Sequence, residues 1–322
     1  MRLSITFCSL LAVVAAAHVH AQQRYPERPI RLIVPQAPGS SSDTLARVVA
    51  TELSRQLGQQ IIVDNRPGGA LMIGMELVAR SAPDGYTIGY APIGALAISP
   101  HLVRKVPFDV VKDFQPVGQT ANGNMLLAAS PASPFRNVRE VIEYAKQNPG
   151  RLSNASSGNG TPGHVGLELF KVMTGTQIVH VPYKGGAAAI GDLATGQVQL
   201  MLEGMNSITP HAKSGRVRAL AVSSARRSDA LPEVPTMAEA GVTGYEATTW
   251  NGIVGPAGMP RPIVVRLNAE LNKALATPLM KERFGAMGAE PAIVTPEQFG
   301  QLIRTEYAKW GDVVRRSGAK ID

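Results

Sequence analysis

The sequence is almost without cysteine: of 322 residues only Cys8 carries a thiol. It lies inside an N-terminal apolar run, so the chain beyond that run can form no disulfide and no cysteine-based metal site. Aromatic residues are scarce, at 5%. They do not interleave with the basic residues, which are spread singly along the chain. That pattern excludes a nucleic-acid surface. The net charge of +8 reads instead as a mild field that draws small anionic solutes. No G-x-S-x-G elbow, H-E-x-x-H pair or P-loop occurs. The histidines beyond residue 21 stand at positions 101, 164, 180 and 211, with no metal-ligand spacing between any two. No catalytic residue, metal or cofactor is implied, and the chain does not read as an enzyme. A hydrolase survives only as a rival, with His164 serving Ser156 as base and nothing supplying a third orienting group.

The apolar run 3–17 is too short to span a bilayer, and no later run is longer. Met1-Arg2 gives it a basic start, and Val19-His20-Ala21 sets small residues where a signal peptidase reads. Residues 1–21 are therefore expected to be a cleaved export signal, with the mature chain beginning at Gln22. Stability must then come from a packed core, which a chain of this length buries easily.

Past the leader, apolar runs alternate with helical spacings. A strand over 31–35 leads into Gln36-Ala37-Pro38-Gly39-Ser40-Ser41-Ser42-Asp43 and a helix. Leu45, Val48, Val49, Leu53 and Leu57 form that helix's apolar face, and Ser42 or Asp43 is expected to cap it. Strand 60–64, loop Asn65-Arg66-Pro67-Gly68-Gly69, a helix through Arg80 and strand 86–90 complete a βαβαβ unit. The alternation restarts with strands at 124–130, 151–157, 177–183, 197–203 and 217–223. Helices at 137–148, 164–173, 187–195 and 208–213 separate them. A loop-rich stretch 224–244, a crossing segment 245–256 and helices at 263–276, 278–287 and 296–317 close the chain. No repeat of 20–50 residues is present, which excludes a solenoid. The pattern predicts an α/β protein with mainly parallel sheets flanked by helices.

The stretch richest in function is Gly158-Asn159-Gly160-Thr161-Pro162-Gly163-His164, wedged between a strand and a helix. Glycines there let backbone N–H groups turn toward a ligand, and the helix presents its positive end to the same place. The glycines also match G-x-G-x-x-G, but that fingerprint needs an acid after the next strand to hold a ribose hydroxyl. Here the next strand ends in Lys184, so a dinucleotide is excluded. Ligands of open parallel sheets sit beyond the carboxyl ends of the strands. Two glycine-serine loops facing each other would receive a small carboxylate between two helix N-termini.

The candidates follow from that geometry. Gly39, Ser40 and Ser41 belong to the first loop, and Gly158, Gly160 and Thr161 to the second. Ala91 follows the third strand; Asn154, Ser156 and Ser157 end another; Tyr90 and Tyr183 also stand at strand ends. Asp43 either braces its helix start or touches the ligand. His164 either hydrogen-bonds a carboxylate or holds its loop, and Lys184 is a salt-bridge partner or a surface lysine. Glu203 would oppose an anion unless it is paired or meets an amine. Trp250 either stacks on the ligand or packs the crossing segment.

Several longer motifs carry a resemblance. Tyr25-Pro26-Glu27-Arg28-Pro29-Ile30-Arg31-Leu32-Ile33-Val34-Pro35 resembles the opening of the mature substrate-binding proteins of tripartite tricarboxylate transporters, the Bug family. Asn65-Arg66-Pro67-Gly68, Pro83-Asp84-Gly85-Tyr86-Thr87, Val181-Pro182-Tyr183-Lys184-Gly185 and Val234-Pro235-Thr236-Met237-Ala238-Glu239-Ala240-Gly241 resemble it too, in family order. The resemblance implies a two-lobed periplasmic binding protein of type II-like fold, closing on a small carboxylate between its lobes. It implies a monomer that delivers its ligand to the membrane permease subunits of such a transporter. A periplasmic accessory that presents the loaded form to a membrane receptor would have the same site. Lobe 1 would comprise 22–122 plus 248–322 and lobe 2 would comprise 123–247, joined by crossings near residues 120 and 248. The chain departs from the family pattern at Ser40, at Gly69-Ala70-Leu71 and at Glu203, where an aspartate is common. Each departure touches the expected pocket, so no relative's ligand transfers.

Overall fold

The computed structural model describes residues 25–321. The expected export signal, its cleavage point and Cys8 lie outside the described residues. Among those described, no helix is long and apolar enough to cross a membrane.

Two sheets organise the chain. Strand β1 (Ile30–Val34) is apolar along nearly its whole length and buried on both faces, as a central parallel strand must be. It pairs in parallel with β2 (Ile61–Asn65) on one side and β3 (Thr87–Pro92) on the other. The rest of this six-stranded sheet is β10 (Thr249–Pro256), β4 (Phe114–Gly123) and β11 (Ala289–Pro291), in the order β11-β4-β10-β3-β1-β2. The second sheet runs β7-β6-β8-β5-β9. Its strands are β5 (Met125–Ala129), β6 (Leu152–Ser156), β7 (Ile178–Pro182), β8 (Leu200–Gly204) and β9 (Arg218–Val222).

Most strands of each sheet run one way, as expected, and each sheet also holds antiparallel members. In the first, β10 lies antiparallel to β3 and β4, and β11 antiparallel to β4. In the second, β5 lies antiparallel to β8 and β9. The cause is the passage between sheets. Strand β4 runs through Asn124 straight into β5, and β10 returns beside it with Thr249 opposite Gly123. Two crossings in opposite directions must enter their sheets antiparallel. Ser223 ties them together: its Oγ accepts from the Met125 N–H (2.9 Å) and donates to the Ala247 carbonyl (2.7 Å).

Helix α1 (Ser41–Leu57) buries Leu45, Val49, Leu53 and Leu57 against the first sheet and stops at Gly58, whose φ of 69° only glycine adopts freely. Its N-cap is Ser40, not Ser42 or Asp43: Ser40 Oγ accepts from the Asp43 N–H at 3.2 Å. Asp43 reaches back past the cap to accept from the Gly39 N–H at 2.8 Å, which ties the loop to the helix start. Helix α2 (Met72–Ala79) links β2 to β3, and a π turn over Gly94–Ile98 leads into α3 (Ser99–Leu102). In the second sheet α4 (Val138–Gln147) precedes β6, and α5 (Pro162–Thr174), α6 (Gly186–Thr195) and α7 (Met205–Lys213) follow β6, β7 and β8. Helices α8 (Arg261–Leu275), α9 (Pro278–Ala286) and α10 (Pro296–Ser317) end the chain. Phe299, Ile303, Trp310, Val313 and Val314 of α10 share one buried core with α5 and with the π turn. The last helix thus grips both sheets.

Candidate functional site

Four helices begin where a strand ends and the two sheets face each other: α1 after β1, α5 after β6, α6 after β7 and α7 after β8. Away from this meeting place, α4, α9 and α10 are capped by the side chains of Asn137, Thr277 and Thr295, while α8 starts behind Pro260 with no side-chain cap. Ser40 caps α1. Helices α5, α6 and α7 have no side-chain cap. Thr161 stands at the N-cap of α5 but gives its hydroxyl to the Gly158 carbonyl, at 2.7 Å. Gly185 and Gly204, at the other two, have no side chain to give. Each start carries roughly half a positive charge in its exposed amides. Three uncapped starts in one region make it favourable for an anion.

The loop before α5 is held from behind. The His164 ring is 4% exposed and stacks on His180, with centroids 4.0 Å apart and planes at 12°. Its Nδ1 accepts from the Gly160 N–H at 3.3 Å. His180 Nε2 lies 2.6 Å from Ser156 Oγ, which also donates to the Gly158 carbonyl at 3.1 Å. His164 therefore braces the loop, and the imagined His164–Ser156 pair does not form. Burial, with Lys171 adding repulsion, lowers the His164 pKa to about 4. Burial, then the neighbouring His164 and Lys171, lowers that of His180 to about 3.

Both rings are therefore neutral in the fold and titrate near 6.5 when unfolded. Their stabilisation is complete above pH 6.5 and is lost as pH falls toward their folded values. For His164 the loss by pH 4.5 is about 2 kcal/mol. Urea unfolding at pH 7 and 4.5 measures it. His164→Asn, whose Oδ1 can still accept from Gly160, is expected to lose less stability over that interval than the wild type. An equally steep fall in the variant would contradict the assignment.

The two lobes touch at this same place. Ser41 Oγ accepts from Asn206 Nδ2 at 2.5 Å, joining the start of α1 to the start of α7. Ser99 Oγ donates to the Gly160 carbonyl at 3.5 Å. Gly94 lies so near that a Cβ on it would sit 2.8 Å from the Gly160 oxygen. A Cβ on Gly160 would collide with Ser99 Oγ, and its φ is +76°. That changes the meaning of Gly160: the room its missing side chain leaves is taken by the opposite lobe.

Other candidates have their polar atoms engaged or point elsewhere. Asp43 accepts from Gly39, Arg47 and Asn65, all within its own lobe, so it braces the first loop. The arginine and the two other hydrogen bonds hold its carboxyl below the usual range despite the opposing effect of burial, the largest single influence. Tyr183 donates to Asp192 of α6 at 2.7 Å. Tyr90 is enclosed in the first lobe's core beside Thr120. Ala91 is fully buried within β3, opposite Gly252 of β10. Trp250 packs edge-to-face on Phe299, 5.6 Å away, so it is core and not a stacking platform. Lys184 is exposed. Asn154 is fully buried, its Oδ1 without a partner among the described residues. Glu203, at the end of β8, is 7% exposed and accepts from the Gly204 N–H at 3.1 Å through Oε1, while Oε2 has no hydrogen-bond partner among the described residues.

Sequence reasoning missed Asn206, Ser99, Gly94 and His180. Asn206 stands two residues past the end of β8, where the rule that found Ser156 could also have found it. Ser99 and Gly94 carry no local signal. Among the described residues no group of three or more acidic, histidine or cysteine side chains could hold a metal ion.

The chain is similar over most of its length to known proteins. The model of the tripartite tricarboxylate transporter family receptor matches residues 45–319. Protein BugT of Bordetella pertussis is 38% identical over 312 residues, covering 97% of this chain and 96% of that protein. A solved structure of Rpa4515 of R. palustris with adipate is 37% identical, with a TM-score of 0.87 over 92% of this chain and all of the other. MatC from Rhodopseudomonas palustris, solved with bound malate, is 30% identical, with a TM-score of 0.84 over 90% of this chain and 100% of the other.

Proposed function

The chain belongs to the tripartite tricarboxylate transporter receptor family, and from that premise we propose that it captures a small carboxylate between its lobes and hands it to the membrane permease subunits of such a transporter. A receptor of this family is a periplasmic solute-binding protein and not an enzyme, so the hydrolase reading falls away. The observation that carries the carboxylate is the cluster of uncapped helix starts at α5, α6 and α7, opposite the serine-capped start of α1. Two relatives whose structures hold adipate and malate support it.

We take the lobes to divide as 22–122 with 248–322, and 123–247. The ligand lies against Gly39, Ser40 and Ser41 on one side. On the other it meets Asn154, Ser156, the 158–161 loop and Glu203. Asp43, His164 and Tyr183 hold those loops from behind, and the hinge is the paired crossing at Gly123 and Thr249. The chain is exported with loss of residues 1–21 and works as a monomer.

Native mass spectrometry of protein freshly purified from the periplasm tests this reading. The expected spectrum shows a monomer beginning at Gln22, part of it carrying a co-purified acid. An intact N-terminus would contradict export, and a co-purified solute without an acid group would contradict the ligand class.

A further inference from the structure

We propose that Glu203 accepts a hydrogen bond from an ammonium or hydroxyl group on the ligand's carbon chain, so that the preferred solutes are amino- or hydroxy-carboxylates and not plain diacids. The proposal rests on the carboxylate reading above and deepens it.

Glu203 shares a face of β8 with Met201, which is sealed in the core under α6 and α7. At the open end of the strand the same face brings a carboxyl to the start of α6. A Cβ on Gly186, the first residue of that helix, would stand 3.9 Å from both Cδ and Oε2 of Glu203. One residue further along β8, a Cβ on Gly204 would lie 3.9 Å from Ser41 Oγ of the opposite lobe. The carboxyl is thus set between an uncapped helix start and the contact between lobes. Its Oε2 is buried and has no hydrogen-bond partner among the described residues.

A carboxylate oxygen removed from water without a donor is destabilising. Burial lifts the Glu203 carboxyl above its usual range, and the Gly204 amide with the nearby Ser157 and Ser207 offsets only part of that. The amides of α6 are donors and Oε2 is an acceptor, side by side. A carboxylate with an ammonium or hydroxyl on the adjoining carbon satisfies both at once. A plain diacid satisfies the amides and leaves Oε2 unpaired.

Calorimetric titration of the mature protein with matched acids tests the idea. The series is succinate, glutarate and adipate, each beside its 2-hydroxy and 2-amino derivative. At the chain length that binds best, one derivative is expected to bind at least about tenfold tighter than the plain acid, the ratio for a hydrogen bond to a charged group. Glu203→Gln keeps an acceptor for a hydroxyl but drops the charge, so a preference for the amine should shrink by about tenfold. Glu203→Met removes the acceptor and should bring all three acids within about threefold of each other.

A plain acid bound by the wild type as tightly as its derivatives overturns the proposal and leaves the carboxylate reading standing. So does a preference that survives unchanged in both variants. Loss of all binding by a variant with an unaltered circular dichroism spectrum assigns Glu203 to loop support and also overturns it. Should neither variant fold, the wild-type comparison decides alone. Silence from all nine acids overturns the proposal, and the co-purified solute then decides the carboxylate reading separately.

Discussion

Replacing Gly160 with valine is expected to weaken ligand binding by at least about a hundredfold while the ligand-free protein keeps its fold. Two effects combine. The Gly160 φ of +76° is one that a residue with a Cβ, and a β-branched one above all, adopts only with strain. The added atoms also collide with Ser99 Oγ of the opposite lobe. The strain falls on the 158–161 loop alone, whereas the collision falls only on the arrangement in which the lobes meet. A penalty of about 3 kcal/mol on that arrangement lowers apparent affinity roughly a hundredfold. Calorimetry measures the affinity, and the thermal midpoint without ligand reports the fold.

A second substitution separates the causes. In a Gly160→Ala background, Ser99→Gly removes the colliding oxygen and should restore part of the affinity, leaving only the backbone strain. Wild-type affinity in Gly160→Val would mean that the Ser99–Gly160 contact is no part of the ligand-bound form.

How much of this was legible depends on how local each signal is. Strand β1 announces itself by five residues, Ile30–Val34, four of them apolar. Helix α1 shows its buried face at helical spacing. Strand β4 does not: Phe114–Gly123 contains Pro116 and Gly118, and its pairing with β10 shifts register twice. Neither alternation nor a continuous apolar run survives such interruptions. The antiparallel pairings have the same root, because a strand's direction in its sheet is set by where the chain has come from.

The site divides likewise. The 158–161 loop and the serines at 40 and 41 were visible because glycine and small polar residues at a strand end have few other uses. That Ser40 caps and Asp43 reaches back could have been read from their spacing of three. The partners of these residues were hidden. Nothing near Ser99 says that it meets a carbonyl 61 positions later, and nothing near His180 says that it stacks on His164. Such contacts exist only once the two sheets are placed, and the exposed appearance of Lys184 or the burial of Tyr90 is decided at the same step.

The central claim is that a negative charge is received by uncapped helix starts between the lobes. A carboxylic acid at a concentration about 100-fold above its Kd should stabilise the folded protein by about 2.7 kcal/mol. For a chain of this size that is a rise in Tm of roughly 5–10 °C. The primary amide has nearly the same shape and carries no charge, so the amides of α5, α6 and α7 gain little from it. Thermal shift with the acid and its amide, side by side in the same buffer, is therefore the most direct measurement. A rise of roughly 5–10 °C for the acid and little for the amide is the result the structure predicts. Equal shifts for the two would contradict it and reduce the glycine loops to ordinary turns.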